Sequence, residues 1–201
     1  MKKAFILGVT GVVGSGKSSL CRYLEANLGF HWINADAIVH ELYRKGEPGY
    51  EKIKNYFGSR YVDKLGVNRN ALRKFALKSP QKMWILNKLI HPLVFHIVNT
   101  KIAQIVRCNK AQNNIYICIE ALYFDASDLG KYVDQLLVID APDDVILKRL
   151  RERNIPEQEL KTLLLFQRKN LAHKGIRIMN EESLETFYQI VLHTLNFLVL
   201  Q

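Results

Sequence analysis

Gly11 to Ser18 read Gly-Val-Val-Gly-Ser-Gly-Lys-Ser, a complete G-x-x-x-x-G-K-[ST] pattern, and no other stretch of the chain restricts its fold as much. The pattern has a mechanism. Glycines let successive backbone N–H groups turn inward around a polyphosphate, Lys17 reaches the β/γ-phosphates, and the Ser18 hydroxyl can ligate Mg²⁺. With glycine near 7% of average usage, chance produces the pattern in a chain of this length about one time in a hundred. Its flanks reduce that further. Ala4 to Val9 is a small and apolar run, as in a buried strand, while Leu20, Tyr23, Leu24 and Leu28 recur at helical spacing until Gly29 stops them. Strand, glycine loop, helix is the setting in which such a loop works. Gly11, Val13, Gly14, Ser15, Gly16, Lys17, Ser18 and Ser19 are therefore the candidate nucleotide-binding residues, with ATP as ligand and Ser18 on Mg²⁺.

The 201 residues suit one domain with a subdomain, and a hydrophobic content of 48% with 24% charged residues is ordinary for a globular chain. Cys21, Cys108 and Cys118 are too few and too unpatterned for a disulfide framework or a zinc site, so reduced thiols in a cytoplasmic protein are expected. Lys2-Lys3 and the apolar residues after them superficially resemble a secretory signal, but cleavage there would remove the strand and half the loop. No stretch is expected to reach the length of a membrane-spanning helix, and no membrane partner is expected. The net charge of +10 raises the question of nucleic acid. The basic residues are dispersed, concentrated only at Lys148–Arg153 and Arg168–Arg177, and lack interleaved aromatic stacking residues. Nucleic-acid binding therefore takes a minor place beside small polyanions, and a monomer is favoured.

Beyond the first helix, His31 to Asn34 reads as a second strand that delivers Asp36 to the carboxyl edge of a sheet, where open α/β sheets place their sites. Gly46-Glu47-Pro48-Gly49 reads as a turn, residues 50–80 as short helices broken at Gly58 and Gly66, and 81–106 as a long helical stretch that Pro92 kinks or splits. Ile115–Ile119, Leu136–Ile139 and Ile176–Ile178 read as further strands. Helices are expected over 142–153, 156–171 and 183–198. The expectation is an α/β P-loop fold: a five-stranded parallel sheet flanked by helices, formed by residues 1–45 and 112–201. A helical acceptor-binding insertion spans about 46–111 and a lid about 146–170.

Phosphoryl transfer needs a clamped donor, a metal, positive charge around the moving group and a base at the attacking hydroxyl. Arg149 and Arg153 lie four residues apart on one predicted helix face and can close over a nucleotide; the same pair also fits an exposed basic face. Asp36 is the base candidate, and equally a helix N-cap by side-chain preference. Glu120 ends a predicted central strand and can hold Mg²⁺ through water, with Asp125 a weaker candidate. His91, beside Pro92, can satisfy backbone groups the proline leaves free. The histidines show no metal spacing.

Together these segments resemble the dephospho-coenzyme A kinase family over nearly the whole chain. The resemblance rests on residues 8–19, Asn34-Ala35-Asp36 (where the family usually has D-A-D), Gly46–Gly49, Phe57-Gly58 and Asn68–Leu72. It continues through Leu89 with His91-Pro92-Leu93, Leu122–Asp125, and Leu147–Asn154 with Gln167 beyond. It implies transfer of the ATP γ-phosphoryl group to the ribose 3′-hydroxyl of dephospho-CoA. Asp36 would take the hydroxyl proton, Lys17 and the loop would hold ATP, and Arg149 and Arg153 would belong to the lid. His91 would lie near the acceptor and Asn180 at the nucleotide. Asn34, Ala121, Asp125, Lys174-Gly175 and Glu182 depart from the family's usual residues.

Overall fold

A computed structural model of the chain describes residues 4–122, 124, 128–151, 157–171 and 174–199. Five strands form its framework: β1 (Ala4–Gly11), β2 (His31–Asn34), β3 (Ile115–Glu120), β4 (Gln135–Asp140) and β5 (Ile176–Met179). They lie in the order β2-β3-β1-β4-β5, with β1 parallel to both β3 and β4 and β4 parallel to β5. The central strands are apolar without alternation because both faces are covered. One face packs Leu20 and Leu24 of helix α1 (Lys17–Leu28) and Phe187 and Val191 of α8 (Leu184–Val199) against Leu7, Val9 and Cys118. The other packs Ile146 and Leu150 of α6 (Asp143–Arg151) and Leu160 and Leu164 of α7 (Glu157–Lys169) against Val12 and Val138.

By internal contacts the chain divides into two units, residues 1–33 with 110–201, and 34–109. The second unit is helical: α2 (Ala35–Leu42), α3 (Pro48–Phe57), α4 (Arg69–Ala76) and α5 (Pro80–Cys108), with a 3₁₀ turn at Ser59–Tyr61. Helices α2, α3 and α4 all pack on α5. Phe57, Tyr61 and Phe75 meet edge to face, with ring centroids 5.0–5.7 Å apart, the arrangement aromatic quadrupoles favour. Pro48 does not sit in a turn but opens α3, where its missing N–H costs nothing. Asp63 supports the Gly66 turn as expected, its Oδ1 accepting the backbone N–H groups of Leu65 (2.8 Å) and Gly66 (3.1 Å).

One alternative and one expectation fail at α5. No second helix begins at Pro92: α5 runs through it, with Ile90, Val94 and Val98 buried on either side. Among the described residues, α5 is also long and apolar enough to cross a membrane. Its most apolar 18-residue window has a mean hydropathy of 1.3 and is 17% buried.

Candidate active site

The glycine loop joins β1 to α1, and its shape follows from what surrounds it. Gly11 has φ 149°, and a Cβ there would come within 2.0 Å of the Ile139 carbonyl on β4. Gly16, the N-cap of α1, has φ 105°, and a Cβ would meet the Asn180 amide at 2.2 Å. Neither position tolerates a side chain. No side chain caps α1, and no acid sits in its first turn. The helix N-terminus is thus left with the amide donors and dipole that attract an anion.

Side chains from distant segments hold the loop. Asn180, almost fully buried just past β5, donates Nδ2–H to the Ser15 carbonyl at 2.7 Å. Arg149 of α6 donates to the Gly14 carbonyl (3.4 Å), the Asn180 carbonyl (3.0 Å) and Asn180 Oδ1 (3.3 Å). Gln167 of α7, itself buried, accepts the Val13 N–H at 2.7 Å. The Val13 amide is therefore held by protein. Lys17 is buried and folds its Nζ back to donate to the Val12 carbonyl at 3.0 Å.

The donors present suit a triphosphate with its metal. The Ser15 hydroxyl is buried with no hydrogen-bond partner, a polar group whose burial is costly unless a ligand completes it. The Ser18 hydroxyl donates to Glu120 Oε1 at 2.6 Å, with Glu120 at the carboxyl end of β3 and 2% exposed. A hydroxyl oxygen beside a buried carboxylate is a hard oxygen pair, of the kind Mg²⁺ accepts while keeping most of its waters. Elsewhere among the described residues, no three His, Cys, Asp or Glu side chains converge as metal ligands.

Asp36 lies in the first turn of α2, two residues beyond β2, and is exposed. The capping half of its dual reading belongs instead to Asn34, whose Oδ1 accepts the Ala37 N–H at 2.8 Å. Asn34, where a second aspartate was the familiar residue, thus serves the helix start. Asp36 acts electrostatically on His40 and Arg69. Arg69 Nη1 lies 3.1 Å from His40 Nδ1. Burial first, then the Arg69 charge, lowers the proton affinity of His40, with Asp36 and Glu41 opposing. Burial of its guanidinium likewise lowers that of Arg69, with Tyr43 and Asp36 opposing and Arg73 adding to the fall. The Tyr43 phenol is pushed up to about 12 by burial.

His91 is half-buried within α5. Arg153 and Asp125 lie outside the described residues. Residues 11–19, Glu120, Arg149 and Asn180 come together in one unit, while Asp36 and His91 belong to the other. Three features escape the residue reading. Gln167 stood out only through resemblance. Arg69 was part of a matched segment with no role attached. Arg168 and Arg177, counted as surplus charge, converge on Asp140 at 2.8 and 2.7 Å and tie α7 and β5 to the end of β4.

Comparison with known proteins adds to this geometry. The dephospho-CoA kinase family model matches residues 5–184. The dephospho-CoA kinase of Coxiella burnetii is 32% identical over 185 residues, covering 89% of this chain and 88% of that enzyme. That of Dehalococcoides mccartyi is 35% identical over 150 residues, covering 74% and 72%. Among solved structures, the fold is similar to that of dephospho-CoA kinase from Campylobacter jejuni, with TM-score 0.61, 22% identity and 96% of each chain covered. A gluconokinase from Sinorhizobium meliloti shares it more distantly, with TM-score 0.51 and 17% identity over 96% of this chain and 93% of that one.

Proposed function

The chain belongs to the dephospho-CoA kinase family, and from that premise we propose how its residues divide the work of moving the ATP γ-phosphoryl group to the ribose 3′-hydroxyl of dephospho-CoA. The reaction gives CoA and ADP. A bond forms between the 3′-oxygen and the γ-phosphorus, the bond from that phosphorus to the β,γ-bridging oxygen breaks, and the hydroxyl proton leaves.

Asp36 takes that proton. Its exposure leaves the carboxylate accessible to an acceptor, and its place just past β2 is where a sheet of this kind presents functional groups. Lys17 leaves the Val12 carbonyl to contact the β- and γ-phosphates, and neutralises the charge that builds on the departing ADP oxygen. Gly14, Ser15, Gly16 and Ser19 surround the phosphates through backbone N–H groups and, at Ser15, the unpartnered hydroxyl. Arg149 and Asn180 hold the loop in shape and stand beside the nucleotide. The 146–170 segment acts as the lid, with Arg153 as a second cation on it, and His91 serves the acceptor side. Ser18 and Glu120 would hold Mg²⁺, Glu120 through water, and the ion when bound supplies charge neutralisation across the β- and γ-phosphates. The protein works in the cytoplasm.

The observation that carries this reading is the loop itself: glycines at two positions closed to any side chain, leading into an uncapped helix whose Ser18 hydroxyl donates to the buried Glu120. The test offers purified protein MgATP with dephospho-CoA, gluconate, uridine and nucleoside monophosphates in parallel. Phosphorylation of dephospho-CoA with at least about a hundredfold higher kcat/KM than any other acceptor is expected, since a site built to hydrogen-bond one acceptor rejects those lacking the matching groups. Turnover of another acceptor in its place would overturn the reading.

A further inference from the structure

Asp140, the last residue of β4, is a buried junction that the phosphoryl transfer itself does not use. Its Oδ1 accepts the Ala141 N–H at 2.9 Å and Arg168 Nη1–H at 2.8 Å, while Oδ2 accepts from Arg177 at 2.7 Å. Its backbone carbonyl accepts the Asn180 N–H at 2.8 Å. Arg168 wraps the connection from β4 to α6. Besides Asp140 it donates to the Ala141 carbonyl at 2.8 Å, and from Nε to Asp143 Oδ1 at 2.8 Å. Burial opposes the Arg168 charge, but the hydrogen bonds to Asp143 and Asp140 overcome it and raise its proton affinity above the ordinary value.

The groups tied to this junction lie one step from contacts to the phosphate loop. Gln167 precedes Arg168, and its Oε1 accepts the Val13 N–H at 2.7 Å. Successive side chains on a helix point about 100° apart, so one turn of α7 touches both the β4–α6 connection and the loop. Asn180, held by the Asp140 carbonyl, donates Nδ2–H to the Ser15 carbonyl at 2.7 Å. Adhesion between these elements has another source: Val12, Val138, Ile146, Leu150, Leu160 and Leu164 already share one apolar cluster. Partly exposed ion pairs add little to stability. Their contribution is direction. Apolar contact lets a helix rotate, whereas a guanidinium fork spread over Asp140, Ala141 and Asp143 fixes its angle. The amide oxygen of Gln167 is also uncharged, and takes the Val13 N–H without setting negative charge beside a polyphosphate.

Resting on the reading of the loop as the ATP site, we propose that Asp140 and Arg168 are positioning residues for ATP: together they fix the rotation of α7, which sets Gln167 against the Val13 N–H and holds the loop in its binding shape before the nucleotide arrives. Neither residue has to touch the nucleotide, because Arg168 acts through Gln167. A loop shaped in advance loses less freedom on binding, so the gain is in affinity for ATP and not in the chemical step.

The test titrates the whole chain with MgATP by calorimetry and measures steady-state constants for MgATP and dephospho-CoA. Gln167→Met keeps the length of the side chain and removes the acceptor, so Kd and KM for MgATP should rise about tenfold, the cost of leaving one buried N–H unpaired. Arg168→Gln and Asp140→Asn should each raise them about three- to tenfold, and Arg168→Lys, which keeps the charge without the fork, should fall short of the wild type. In all of them kcat and KM for dephospho-CoA should change less than about twofold, the pattern of lost donor binding. The double variant Arg168→Gln with Gln167→Met should bind MgATP within about twofold of Gln167→Met alone, since residues that act through one another are not additive. Where circular dichroism shows Arg168→Gln unfolded, Asp140→Asn combined with Gln167→Met carries the same comparison. Unchanged MgATP affinity in a folded Arg168→Gln or Asp140→Asn, losses that multiply in the double variant, or equal rises in KM for both substrates would overturn the proposal while leaving the ATP site standing. A wild-type protein that does not bind MgATP overturns the ATP reading and this proposal together.

Discussion

In the proposed division of labour, the loop unit and the helical unit recognise their ligands by different means. In the first, the backbone is the recognition surface. Gly11 and Gly16 are fixed by the Ile139 carbonyl and the Asn180 amide, and Asn180, Arg149 and Gln167 hold the backbone of Ser15, Gly14 and Val13. In the second, the proposed base Asp36 is an exposed side chain on a short helix. A backbone site demands glycine at set intervals and leaves a compact pattern in the sequence. A side-chain site demands only that a few polar residues share a helix face, which many sequences do. On the proposed reading, the donor half of the chemistry is held by the backbone of the loop, and the acceptor half depends on side chains.

The contrast is sharpest at the reacting hydroxyl. Asp36→Asn keeps the shape of the side chain and removes its basicity, so kcat should fall about 10²–10⁴-fold with ATP affinity intact, as measured by steady-state rates and nucleotide titration. Near-normal turnover would move the base elsewhere. Lys17→Ala probes the loop unit and should cost about 10²–10³ in kcat with weakened ATP binding as well, because one preorganised charge is lost at both stages. The two variants thus separate: one impairs the rate alone, the other the rate and the nucleotide.

A smaller effect is expected where the loop is only supported. Asn180→Ala removes the donor to the Ser15 carbonyl and an acceptor of Arg149, so KM for ATP should rise about tenfold, the value of one or two buried hydrogen bonds. An unchanged KM would mean that Arg149 holds the loop unaided. The smallest effect belongs to the helical unit. Burial and Arg69 lower the proton affinity of His40 in the fold, so the unfolded chain takes that proton first. The contribution of His40 to stability is full above its ordinary value of 6.5 and is lost as the pH falls below it. Urea midpoints measured at about pH 7.5 and about pH 5.5 should show a smaller acid-side drop in His40→Asn than in the wild type. An equal drop would assign the acid sensitivity to other groups.

The same contrast explains what could be read before the structure. The five strands and the helices that cover them were legible because a buried parallel sheet requires continuous apolar runs, and Gly29 and Gly58 punctuate where expected. The loop was legible as a pattern, though the Gln167 side chain that takes its Val13 N–H was not. Asp36 was ambiguous because a carboxylate after a strand serves a cap and a base equally well; Asn34 resolves the capping half by taking the Ala37 N–H. The split that Pro92 allowed does not occur, and Ile90, Val94 and Val98 are buried on either side of it. Arg168 and Arg177 could not be told from solvated charge, since their partner Asp140 is 28 and 37 residues away along the chain.

The most direct measurement follows the label from γ-³²P-ATP into dephospho-CoA and then locates it on the ribose by ³¹P and proton NMR of the product. The account predicts one phosphoryl group per turnover on the 3′-oxygen, formed at a rate that drops in Asp36→Asn. Label on the 2′-oxygen, on the diphosphate, or on no part of the acceptor would contradict it.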